Sequence, residues 1–184
     1  MKKIFITLFI VLSAFACKSQ NTLCVLIGDT IPIYNSDTSS TPILTLYNIA
    51  KTRVYTNDTF HEPFFFTKLI KQNQNRFLVN IFSSISDITT LNSDSVWICN
   101  ENAGIGVIAN RLSDNKNLKI YDTPDFNSTY RIVEMPIEVH IATVIAFHDD
   151  WLKIIYDCTD IPQITGWLSH ENQCVNMYSM CMGN

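Results

Sequence analysis

Basic residues are scarce in this sequence. Lys and Arg together number 13 among 184 residues, against 17 Asp and Glu, and charged residues make up only 16%. A chain so poor in positive charge has no basic patch with which to neutralise phosphates, which argues against a nucleic-acid partner. Long apolar runs are missing too. The one extended stretch, residues 4–16, is shorter than the ~20 residues that span a bilayer. No segment shows the amphipathic period and end caps of a helix. No C-x-x-C occurs and the His residues are scattered, so metal-ligand spacing is absent. Acidic residues do not recur with the spacing of a Ca²⁺ loop either. Neither a metal nor another cofactor is expected. What is abundant is apolar residues, 47% of the chain, interleaved with Asn, Ser and Thr. That composition builds cores and suits a β-rich, turn-rich fold over a disordered one.

The N-terminus carries an export signal. Lys2-Lys3 precede the apolar stretch, and Ala14-Phe15-Ala16 fits the A-x-A pattern of signal-peptidase cleavage, making residues 1–16 a signal peptide. Cys17 follows at once. Ala14-Phe15-Ala16-Cys17 resembles a bacterial lipoprotein signal with Cys17 as the lipidated residue, although Ala14 stands where that family prefers Leu. Lipidation and plain secretion both stay open. Either puts residues 17–184 in the periplasm or at the cell surface, with a lipid, anchored in the outer membrane, as the only membrane tie. Export permits disulfides. Cys24, Cys99, Cys158, Cys174 and Cys181 are odd in number, so at least one stays unpaired within the chain. Cys174 and Cys181 are closest in sequence; bonding them would pin the tail and contribute ~2–3 kcal/mol.

One motif occurs twice. Val96-Trp97-Ile98-Cys99-Asn100-Glu101-Asn102 is echoed by Gly166-Trp167-Leu168-Ser169-His170-Glu171-Asn172. Upstream of each lies a short apolar run, Phe77–Ile81 or Trp151–Ile155, and further upstream Ile31–Tyr34 or Leu118–Tyr121. Three landmarks in one order predict two copies of a small β-module. Polar turns at Gln72-Asn73-Gln74-Asn75 and His148-Asp149-Asp150 predict a hairpin in each. The first copy spans 23–102 and carries a long insertion near Thr52–Glu62; a linker runs over 103–114; the second copy spans 115–184.

The second copy resembles the bacterial SH3-like (SH3b) family. The residues that carry the resemblance are Leu118-Lys119-Ile120-Tyr121-Asp122-Thr123-Pro124, Trp151-Leu152-Lys153-Ile154 and Gly166-Trp167-Leu168. A Cys-flanked ending, Glu171–Cys181, is similar to that of some exported members. The first copy joins only through the repeat, with Val96 in place of Gly166 and Phe77 in place of Trp151. The resemblance implies an all-β chain of two tandem small SH3-like β-barrels after the signal segment. It implies a non-catalytic module that binds a cell-wall peptide or an envelope protein.

Tyr121, Trp151 and Tyr34 are the expected ligand-binding residues of a shallow aromatic groove that could hold an extended ligand: Tyr121 and Trp151 because both sit beside polar loops, Tyr34 because it recurs at the matching landmark of the first copy. Trp97 and Trp167 are expected to pack the closing strands. Phe64-Phe65-Phe66 reads as a strand buried on both faces. The only nucleophile arrangement worth weighing pairs Cys99 or Cys158 with His140, His148 or His170. The two modules leave no room for a catalytic domain, so no enzyme is expected. Besides the envelope-binding reading, an inhibitor or immunity-type exported lipoprotein acting on another protein stays open.

Overall fold

The computed structural model describes residues 22–47, 54–56, 59–61, 65–82, 94–108, 117–134, 140–158 and 161–174. The expected signal segment 1–16, Cys17, Phe64 and Cys181 lie outside these residues. The described chain is all-β. In the first half lie β1 (Leu23–Leu26), β2 (Thr30–Tyr34), β3 (Leu44–Tyr47), β4 (Val54–Thr56), β5 (Thr59–His61), β6 (Phe66–Asn73), β7 (Arg76–Phe82) and β8 (Val96–Cys99). After a 3₁₀ turn at Asn100–Asn102 come β9 (Ala103–Val107), β10 (Asn117–Tyr121), β11 (Tyr130–Glu134), β12 (His140–His148), β13 (Trp151–Cys158) and β14 (Ile161–Leu168). A second 3₁₀ turn at His170–Asn172 leads to β15 (Gln173–Cys174).

Alternation along the strands sets their burial. In β7, Phe77, Val79 and Ile81 face inward while Arg76, Leu78 and Asn80 are only half-buried, as a two-residue side-chain period requires. All strands except the β4–β5 hairpin join one open sheet, in the order β11-β10-β14-β13-β12-β9-β1-β6-β7-β8-β2-β3, with β15 on β9. Every pairing in it is antiparallel.

The order reads the same from both ends. β3-β2-β8-β7-β6-β1 in the first half matches β11-β10-β14-β13-β12-β9 in the second. Registers agree residue by residue. Tyr34 pairs Trp97 as Tyr121 pairs Trp167. The β6–β7 bulge between Leu69 and Lys71 matches the β12–β13 bulge between Val144 and Ala146. Both hairpins turn on a positive-φ residue, Gln74 at 48° and Asp149 at 52°. Asn73 faces Arg76 as His148 faces Trp151, so Arg76 is the counterpart of Trp151. Phe77, expected in that place, instead corresponds to Leu152: Phe77 pairs Ile98 as Leu152 pairs Leu168.

Residues 103–107, expected to open a linker, form a fully buried strand instead. One edge of β9 runs along β12, while β1 and then β15 take its other edge. β9 thus closes the first half as β15 closes the second, and opens the second as β1 opens the first. Small residues make this possible: a Cβ on Gly104 would come within 2.6 Å of Ile27 and 2.9 Å of Ile141. The rest of the expected linker, 109–114, lies outside the described residues.

A single cluster of buried apolar side chains continues through both halves, from Leu26, Ile31 and Phe77 through Ile105 to Leu118, Leu152 and Tyr156. Polar contacts tie the halves further. The Gln72 side chain accepts from Phe147 N at 3.3 Å and donates to Ile145 O at 3.4 Å; Asn100 also donates to Ile145 O at 3.3 Å. Ile145 is the bulge residue of β12, whose backbone leaves the ladder, so its carbonyl is free for these side chains. Phe77 and Phe147 meet at 5.7 Å beside them.

Candidate functional site

The repeated Trp-x-x-Glu-Asn motif is largely an architectural device. Trp97 is buried and Trp167 half-buried, each in a closing strand. The Asn at the end of each motif is a clamp. Asn102 Nδ2 donates to Ile27 O at 3.1 Å and Ile27 N donates to Asn102 O. Asn172 Nδ2 donates to Ile108 O at 2.9 Å and Ile108 N donates to Asn172 O. Ile27 and Ile108 follow β1 and β9, so each clamp fastens the end of a half to its opening strand. In the second half Ser169 Oγ donates to Asn172 Oδ1 at 3.2 Å. The first half has Cys99 in that place, and Asn102 Oδ1 is buried without a partner among the described residues.

Tyr121 and Trp151 are brought together. Their rings meet edge to face at 5.1 Å and 88°, both largely buried. Two aromatics that sequence reasoning did not single out complete the cluster. Phe126 lies 4.7 Å from Trp151 and 6.0 Å from Tyr121, and Tyr130 lies 5.4 Å from Tyr121. Phe126 is 50% and Tyr130 44% exposed; two accessible rings therefore rest on two buried ones. A lone Phe inside the turn-rich Asp122–Thr129 segment was the signal available for Phe126.

The loop that carries Phe126 is closed by its own polar residues. Asp122 N donates to Thr129 O at 2.9 Å, Ser128 N to Asp125 O at 3.0 Å, and Thr123 N to Ser128 Oγ at 3.0 Å. Asn127 N donates to Asp125 Oδ1 at 2.9 Å, and Thr129 Oγ1 donates to Asp122 Oδ2. Asp, Asn and Ser favour such turns because their side chains replace backbone partners. The rim is polar: Lys119 Nζ sits 4.6 Å over the Tyr130 ring, and His170, 6.3 Å from Phe126, has Nδ1 at 3.2 Å from Asp150 Oδ2. Exposed rings beside donors and acceptors can stack on an apolar or planar group and hold an extended backbone.

Tyr34 stands apart, in the first half, at the position equivalent to Tyr121. The Arg76 guanidinium lies 3.8 Å over its ring. Arg76 Nη1 donates to Ser36 O at 2.9 Å and Nη2 to Ser39 O at 2.7 Å. Burial above all, and then Cys99, push the Tyr34 hydroxyl up from its ordinary value, with Arg76 opposing. Cys24 is a buried free thiol that desolvation pushes far up. Cys174 is disulfide-bonded. Of the histidines weighed as bases, His148 and His170 sit at the exposed hairpin end beside Asp149 and Asp150, and His140 packs its ring 6.2 Å from Tyr156. Among the described residues no group of three or more His, Cys, Asp or Glu could hold a metal ion.

No family model and no curated protein matches the chain. Among solved structures, NlpC2 from Trichomonas vaginalis is similar at a TM-score of 0.29 and 10% identity, over 86% of this chain and 49% of that one. The chain spans about half the length of that protein, and a likeness this distant carries no argument about function.

Proposed function

We propose that this chain is an exported, non-catalytic envelope-binding protein made of two SH3-like modules, and that its second module holds an extended cell-wall peptide. The observation that carries this reading is the cluster of Tyr121, Trp151, Phe126 and Tyr130, with its two outer rings accessible and its carrier loop fixed by hydrogen bonds. A rigid aromatic surface binds at low entropic cost, because little is left to order on contact. The repeated strand order and the shared registers support two modules of one kind. The sequence at 1–17 supports export, with Cys17 as the residue a lipid would occupy, and Cys181 is the proposed disulfide partner of Cys174.

Sedimentation with purified peptidoglycan tests the reading. The wild-type protein should pellet with the polymer. Trp151→Ala and Phe126→Ala should weaken binding about tenfold or more, given that aromatic anchors dominate such interfaces. Phe126→Ala carries the test, since an exposed ring leaves the fold intact. A wild-type protein that stays in the supernatant yet captures a stable protein partner would favour the inhibitor or immunity-type reading instead.

A further inference from the structure

We infer that the chain has one ligand site, not two, and that Arg76 is the residue that closes the equivalent position of the first half. The inference rests on the reading above and extends it to stoichiometry. Register makes Arg76 the counterpart of Trp151, since Asn73 faces Arg76 across the hairpin as His148 faces Trp151. The two residues treat their Tyr neighbours differently. Trp151 meets Tyr121 edge to face and gives Phe126 a ring to lie on. Arg76 lays its guanidinium over the Tyr34 ring, where cation–π attraction holds it.

Arg76 then spends two donors on the loop above it, at Ser36 O and Ser39 O. Asn73, next to the hairpin turn, adds a bond to Asp37 Oδ2. That loop, Asn35–Pro42, corresponds to Asp122–Thr129 but contains no aromatic residue. Its own backbone therefore satisfies the guanidinium that would otherwise face outward. In the first half a guanidinium held by two backbone carbonyls lies over the Tyr, in place of the rings of Phe126 and Tyr130. A ligand selected by stacking gains nothing there, and the loop is held down over Tyr34.

Two measurements on the full chain decide this. The first is calorimetric titration with muropeptides released from peptidoglycan by a muramidase. One equivalent should bind; Phe126→Ala should weaken binding about tenfold, and Tyr34→Ala should leave it within twofold. Two bound equivalents, or loss of binding in Tyr34→Ala, would overturn the inference. The second needs no ligand. The Ile43 amide donates to Ile33 O at the foot of the first loop, as Asp122 N does to Thr129 O in the second. Arg76→Ala should speed hydrogen exchange at Ile43 about tenfold and leave Asp122 unchanged. Arg76→Lys, which keeps the charge but cannot fork to both carbonyls, should fall between. Unchanged exchange at Ile43 in both variants would overturn closure by Arg76. If the wild-type chain binds no muropeptide, the cell-wall ligand is refuted, while the exchange data still decide the role of Arg76.

Discussion

A single atom separates the two clamps. Ser169 gives its hydroxyl proton to Asn172 Oδ1, whereas Cys99, a weak donor that bonds Tyr34 instead, leaves Asn102 Oδ1 buried with no partner among the described residues. An orphaned buried acceptor costs ~1–3 kcal/mol. Cys99→Ser should therefore stabilise the chain by about 1 kcal/mol, read as a higher urea midpoint at unchanged m-value; an unchanged or lower midpoint would refute the reading of this pair. Cys24 gives the pH dependence. Its thiol is buried and its pKa is raised by desolvation, so the unfolded chain ionises first as pH rises. The sign follows: this contribution is complete below the unfolded pKa of about 8.5 and is lost above it, at up to ~1.4 kcal/mol per pH unit. Cys24→Ala should lower stability at pH 7 and flatten the decline above pH 9 in urea titrations at a series of pH values. Residues of this kind were partly legible. Tyr121 and Trp151 announced themselves beside polar loops. Arg76 did not, because a hairpin's register depends on which two residues turn, and four polar residues in a row at 72–75 conceal that choice.

Among the elements, the alternating strands and both hairpins could be read from the sequence, since a half-buried strand prints its two faces as a period of two. β9 could not. Ala-Gly-Ile-Gly-Val is buried on every residue and packed so closely that Gly104 admits no side chain. A strand covered on both faces loses the alternation, and two glycines then read as a linker. The consequence is a prediction about boundaries. A fragment of residues 115–184 lacks the strand that β12 and β15 both pair with. It should show no cooperative unfolding. A fragment of residues 103–184 restores those pairings and should unfold cooperatively, at lower stability than the full chain because Gln72 and Asn100 no longer hold the β12 bulge. Circular dichroism during urea titration distinguishes the two; equal behaviour of both fragments would refute the shared role of β9.

At the scale of the whole molecule, the two landmark sets suggested two separate modules, while the structure gives one continuous sheet with one buried cluster crossing the seam. Two modules joined by a flexible tether could bind independently and unfold independently. Modules that share a strand, a core and, among the described residues, four side-chain bonds across the seam cannot easily do either, because separating them exposes apolar area worth ~25 cal/mol per Å² and breaks the β9 ladder. Unfolding should then be a single transition. Trp97 reports the first half and Trp151 and Trp167 the second, so Trp97→Phe and a Trp151→Phe/Trp167→Phe double variant isolate the two signals. Their fluorescence midpoints in urea should coincide once each is referred to its own circular-dichroism midpoint. Gly104→Val should lower both, since its side chain would collide with the side chains of Ile27 of the first half and Ile141 of the second, at a cost of about 1–3 kcal/mol for overpacking. If Gly104→Val lowered only one midpoint, or the wild-type signals separated, the strand would join two units that fold apart, and the single buried cluster would not be the unit of stability.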